Sequence, residues 1–399
     1  MFKNTKQFIL MKKYIHTVFI VVTTIATVFD FYAQELPPIQ IFTTEDYGGG
    51  NQNWSVSQAV NKNIYVANNK GLLEYNGANW QLYPTPNETI MRSVKCIDDK
   101  VFTGFFRDFG FWKKNKYGFL EYTSLVEKKR IQMFEDEQIW EIIESDGWVL
   151  FKSLERIFLY NLKNNSLKII EGTGVLAKIS KVNDIIYFQD LSKGVFKIEN
   201  GIPVLVSTNT VFKKNKLTEI FYKEGKVFFL TQKKGFYFLE NNILKRWNST
   251  ANSYLRNKTI YSAEVLDDGT IILGSISNGL ISLKSTGEID TQINQNLGLS
   301  NNTVLAVFED ADNNIWLGLD NGINLVNFDS FLTIYINKNE FLGTIYTAII
   351  FENFLYLGTN QGLFYKKYKS KDSFKLLEST QGQVWSLRVI DGTLFCGHD

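Results

Sequence analysis

A glycine followed by a short apolar, strand-like segment recurs along this chain at intervals of 38–46 residues. The glycines are Gly71, Gly110, Gly194, Gly235, Gly279, Gly322 and Gly362, and between the second and third of them Arg156 stands in the glycine slot. Each unit carries two further strands upstream. The clearest example runs from Thr303 to Phe308, through the turn Glu309–Asn314, to Ile315-Trp316-Leu317-Gly318 and a second turn before Gly322. Asp, Asn and Gly in these turns supply the positive φ or local capping that tight hairpins need, and the alternating β-branched and aromatic residues between them read as short antiparallel strands. A variable fourth segment, such as Trp80–Tyr83 or Leu244–Trp247, completes a four-stranded sheet. Four-stranded sheets at this period predict an all-β chain folded as a β-propeller. A β-solenoid uses shorter coils, and the absence of sustained 3.6-residue periodicity excludes a helical repeat.

Eight units and the beginning of a ninth (Val384–Gly397) can be counted. A seven-bladed first propeller is expected over 35–340, with Ile39-Gln40-Ile41-Phe42 closing the ring against the last blade, since a closed ring leaves no free strand edge. Residues 341–399 then read as the incomplete start of a second propeller, whose unpaired edges predict local instability. Ahead of them, residues 1–34 read as a signal peptide: Lys12-Lys13, an apolar run from Tyr14 to Phe29 and small Ala33. The apolar run is shorter than the roughly 20 residues of a membrane span.

Composition narrows the chemistry. The two histidines are His16, within the leader, and His398, next to the end. No His-based triad or His-rich metal centre can be assembled between them. Cys96 and Cys396 are too few for a disulfide framework or a four-thiolate zinc site, and a net charge of +2 leaves no electrostatic footprint for nucleic acid. No metal, cofactor or catalytic residue is expected.

The phrase Phe308–Asn324, with weaker copies at Val265–Leu283 and Ile349–Phe364, resembles the repeat of the two-component-regulator propeller family. The opening Leu36–Gln40 and the stretch Tyr65–Gly77 are similar to exported sensor regions of Bacteroidetes-type regulators with a triple-tyrosine domain. In such proteins two seven-bladed propellers precede a triple-tyrosine module, a membrane helix and a kinase or helix-turn-helix output. The resemblance implies the periplasmic, non-enzymatic ligand-sensing region of a membrane-anchored signalling regulator. This sequence stops inside a blade, so it is expected to be an N-terminal fragment of a longer product whose output domains lie elsewhere. The expected partner is a small molecule, with glycans the candidate class; homodimerisation is expected of the full-length protein, and direct nucleic-acid binding is not. The competing readings are a propeller glycoside hydrolase or lyase and a secreted protein-binding scaffold.

Propeller ligands meet the mouth of the central channel, near the start of each inner strand. Counting back from the repeat glycine places Trp54, Arg92, Trp140, Lys178, Glu219 and Tyr261 there, followed by Val304, Tyr346 and Trp385. Aromatic faces offer platforms for sugar rings, and Arg, Lys and Glu can hydrogen-bond hydroxyls or carboxylates. Packing between blades accounts for the same residue types, because aromatics more often fill cores. Asp310-Ala311-Asp312-Asn313-Asn314 begins like a calcium loop but lacks its Gly at position six and Glu at position twelve, so a hairpin turn is the stronger reading.

Overall fold

The computed structural model describes residues 34–336, 342–370 and 372–399; residues 1–33 of the expected signal peptide lie outside them. The described residues divide into two compact units, one spanning Pro37–Leu332 and the other combining Gln34–Leu36 with those from Thr333 to Asp399.

Within Pro37–Leu332 there are seven four-stranded antiparallel sheets. Blade 1 runs from inner to outer strand as Asn53–Gln58, Ile64–Asn68, Gly71–Tyr75 and Trp80–Pro84. The inner strands of blades 2 to 7 are Met91–Ile97, Glu141–Ser145, Leu176–Val182, Leu217–Lys223, Ile260–Val265 and Val304–Glu309. Each inner strand neighbours the next, and that of blade 7 returns to that of blade 1, closing the ring. The outer strand of blade 7 comes from the start of the unit: Ile39–Phe42 pairs antiparallel with Ile323–Val326. Phe42 then stacks on Trp316 at 5.8 Å and meets Trp80 of blade 1 edge-on at 5.3 Å, so the closing strand also joins the apolar layer between the last blade and the first. Burying one such ring contributes about 2–3 kcal/mol.

The repeat glycine has a steric cause. At Gly71 (φ 143°) a Cβ would lie 2.2 Å from the Tyr83 carbonyl oxygen of the neighbouring outer strand, and at Gly194 (φ 128°) 2.0 Å from that of Ser207. No side chain fits against that carbonyl. Arg156 has no positive φ, and blade 3 uses the freed position for a charge. Its guanidinium pairs with the fully buried Glu137 carboxylate, through Nε at 3.0 Å and through a short contact from Nη2, between the rings of Phe134 and Phe158.

The Asp310 turn is a hairpin cap. Its Oδ1 accepts the backbone N–H groups of Asp312 and Asn314, each at 2.9 Å, and its Oδ2 accepts Trp316 Nε1 at 2.8 Å. The carboxylate is thus spent on its own hairpin.

In the second unit, Gln34–Leu36 pairs with Ile334–Ile336, Ile345–Leu376 forms a four-stranded sheet, and Val384–Ile390 pairs with Thr393–His398. Tyr346 and Trp385, both partly exposed, stack at 4.4 Å across these two sheets. Among the described residues no helix is long and apolar enough to cross a membrane.

Candidate functional site at the channel mouth

Near the start of nearly every inner strand the ladder slips by one residue, as between Asn53 and Ser55, Met91 and Ser93, and Ile260 and Ser262. A bulge of this kind re-aims the extra side chain. Trp54, Arg92 and Tyr261 are the extra residues of blades 1, 2 and 6. Trp140 holds the corresponding place in blade 3, where its N–H bonds the Lys152 carbonyl opposite Glu141. Lys178 and Glu219 lie one residue beyond the bulges of their strands, at Ala177 and Thr218, and Val304 one before its own, at Leu305. The six candidates therefore divide into two groups.

The first group is aromatic around one cation. The Arg92 guanidinium carbon lies 4.0 Å from the Trp54 ring centroid and 4.6 Å from that of Trp140, and the two indoles meet edge-on at 6.2 Å. Such contacts are worth about 0.5–2 kcal/mol each. Arg92 Nε donates to Gln138 Oε1 at 2.9 Å; Trp54 Nε1 donates to Asn69 Oδ1 at 2.7 Å. Arg92 Nη1 is out of contact with solvent and finds no hydrogen-bond partner among the described residues. Burial pulls the guanidinium below its ordinary range, opposed by its electrostatic interaction with Tyr261. Burial likewise pushes the Tyr261 phenol up, with Arg92 opposing.

Gln138 and Trp140 reach this place on a segment pinned from both sides. Arg107 N–H bonds the Glu137 carbonyl at 2.8 Å, and Ser93 Oγ donates to the Ile139 carbonyl at 2.9 Å. On the other side Glu137 is held by Arg156 and by Ser153 Oγ at 2.7 Å. The charge in the repeat's glycine slot thus positions the aromatic flank of the mouth.

The second group is an ion-pair network. Lys178 Nζ lies 2.9 Å from Glu141 Oε1 and 3.0 Å from Glu219 Oε2. Glu141 also pairs with Lys152 at 3.2 Å, a lysine only 1% exposed that donates to the Leu176 carbonyl at 3.0 Å. Burial would lower the Lys178 ammonium, but the two carboxylates outweigh it and hold it above the usual lysine range. Burial would raise Glu141, and Lys178 and Lys152 outweigh that to hold it low. Further along the strand of blade 6, Glu264 is pushed up to about 7 by burial first and then by Glu219 and Glu309, against Lys95 and Lys178.

Gln138, Glu141, Lys152 and Glu264 escaped the sequence reading. Gln138 sits in a connection with no repeat counterpart. Lys152 ends the apolar run Trp148–Phe151, the one legible sign that a charge is buried there.

Residues 298–321 match the two component regulator propeller family. No curated protein matches the sequence. The fold is similar to the extracellular domain of a hybrid two component system from B. thetaiotaomicron (TM-score 0.68, 15% identity, covering 92% of this chain and 52% of that one). It is also similar to the extracellular domain of a one component system from the same organism (0.56, 17%, 92% and 51%), and to virginiamycin B lyase from Staphylococcus aureus (0.52, 13%, 73% and 99%). The chain spans about half the length of these two extracellular-domain chains. It is a β-propeller chain that carries a two component regulator propeller repeat at residues 298–321.

Proposed function

We propose that this chain is the periplasmic, ligand-sensing propeller region of a membrane-anchored signalling regulator, binding a small molecule without turning it over. The regulator-propeller match at 298–321, together with the likeness to extracellular domains of signalling systems, supports the sensor role. The observation that carries the site is the Arg92 guanidinium packed against both Trp54 and Trp140 at the channel mouth. Binding fits this mouth better than catalysis, because Glu141 and Glu219 are committed to Lys178 rather than free as an acid–base pair. In the longer product, occupancy would be relayed to output domains outside this chain, with homodimerisation and a glycan ligand as part of the reading.

A thermal-shift screen of glycans and metabolites on the chain tests it. The expected result is a stabilising compound whose effect disappears in Trp54→Ala and Tyr261→Ala. A compound that binds both variants undiminished would move the site elsewhere, and polysaccharide turnover would replace sensing with catalysis.

A further inference from the structure

Arg92 and Lys178 are both cations of the channel lining, and only one of them has an answering charge. Lys178 meets two carboxylates. Arg92 has no acidic side chain within ion-pair distance among the described residues; its one side-chain hydrogen bond there runs from Nε to the neutral Gln138 amide. Trp54 and Trp140 lie against the guanidinium at about right angles to each other, Nη1 is unpartnered but shielded from solvent, and Nη2 is the group left open to an incoming acceptor. A guanidinium so held can give a carboxylate or sulfate a charge-assisted hydrogen bond from Nη2, and a paired one once the ligand displaces what covers Nη1. Tyr261, the extra residue of the blade 6 bulge and electrostatically coupled to Arg92, adds a hydroxyl. A partly buried cation is costly without a counter-charge, and the described residues supply none.

We infer that the ligand of the channel mouth is an oxyanion, a small organic carboxylate or sulfate whose charged group docks on the Nη edge of Arg92 while its body lies against the Trp54, Trp140 and Tyr261 rings. This rests on the channel-mouth reading above and adds the charge of the ligand to it. Gln138 is the positioning residue: its amide oxygen holds Nε and so orients the fork.

Isothermal titration of the full chain with D-glucuronate, D-glucose 6-sulfate and D-glucose tests the inference, since these probes share a pyranose and differ at one substituent. At least tenfold tighter binding of one or both anions than of glucose is expected, the stronger anion identifying carboxylate or sulfate. Arg92→Met should reduce anion affinity to that of glucose. Arg92→Lys, which keeps the charge and loses the fork, should restore less than a third of the difference; it also serves if the methionine variant folds poorly. Glucose binding as tightly as the anions, with loss in Trp54→Ala, would overturn the charge assignment and leave the mouth as the site. Anion binding insensitive to both Arg92 variants and to Trp54→Ala would overturn the site as well. Failure of all three probes to bind would overturn the inference.

Discussion

The two flanks of the channel mouth use similar side chains to opposite ends. On the flank of blades 3 to 5, Lys178, Glu141, Glu219 and Lys152 neutralise one another across blade boundaries. On the flank of blades 1 to 3, Arg92 is surrounded by ring faces and one neutral amide. A buried charge needs a partner, and where the fold supplies it the network locks neighbouring blades together. Where the described residues supply none, as at Arg92, the unanswered cation is the basis of the proposed ligand site. The contrast separates channel residues whose charges answer one another from those proposed to recognise a ligand, although all were equivalent when read as strand positions.

Four substitutions probe that contrast. Glu137→Ala should have the largest effect, because it strands the buried Arg156 guanidinium; the expected loss is about 3–5 kcal/mol in urea unfolding. It should also free the segment bearing Gln138 and Trp140, weakening ligand binding at a residue that touches no ligand. A loss below about 1 kcal/mol would show that blade 2 alone pins that segment. Glu141→Ala should cost about 2–4 kcal/mol, somewhat less because its carboxylate is partly solvated, by leaving Lys178 with one partner and Lys152 with backbone carbonyls only.

Glu264→Gln should act through pH. The Glu264 carboxyl is raised to about 7 from an ordinary 4.5, so between those values the folded protein holds a proton that the unfolded chain releases. Stability therefore falls as pH rises through that window, by about 1–3 kcal/mol in all. The glutamine variant should match the parent near pH 4.5 and exceed it at pH 8, as read from melting temperatures at the two values. Parallel pH curves for the two proteins would place Glu264 in a more hydrated setting. The smallest stability change is expected for Arg92→Met, within about 1 kcal/mol in either direction, since lost cation–π contacts are offset by relief of an uncompensated charge. A loss above about 3 kcal/mol would make Arg92 a structural residue like Glu141.

Much of the fold was legible. The glycine slot is a local steric demand, so Gly71 and Gly194 announce their strands wherever they occur, and the closing strand Ile39–Phe42 was visible from its apolar content and the need to pair the last edge. The site was legible in part. Counting back from the glycine found the bulge residues Trp54, Arg92 and Tyr261, and Trp140 at the corresponding place in a blade whose ladder does not slip. It landed one position late at Lys178 and Glu219 and one early at Val304, because hairpin lengths vary by a residue between blades and bulges add another. Gln138 and Glu141 went unread since nothing in a strand pattern tells whether a polar residue will be answered by the neighbouring blade.

That last point marks the division between chain and fold. The repeat, the turn residues and the glycines are short-range constraints on backbone conformation, and an isolated segment expresses them in full; they were enough for an all-β propeller. Charge balance is set through space. Lys178 finds Glu141 37 residues away, and Arg92 finds Gln138 46 residues away, each on another blade at a register that bulges and hairpins jointly decide. Coulomb energy depends on those distances and on the exclusion of water around them, so only the assembled ring settles that Lys178 is satisfied and Arg92 is not.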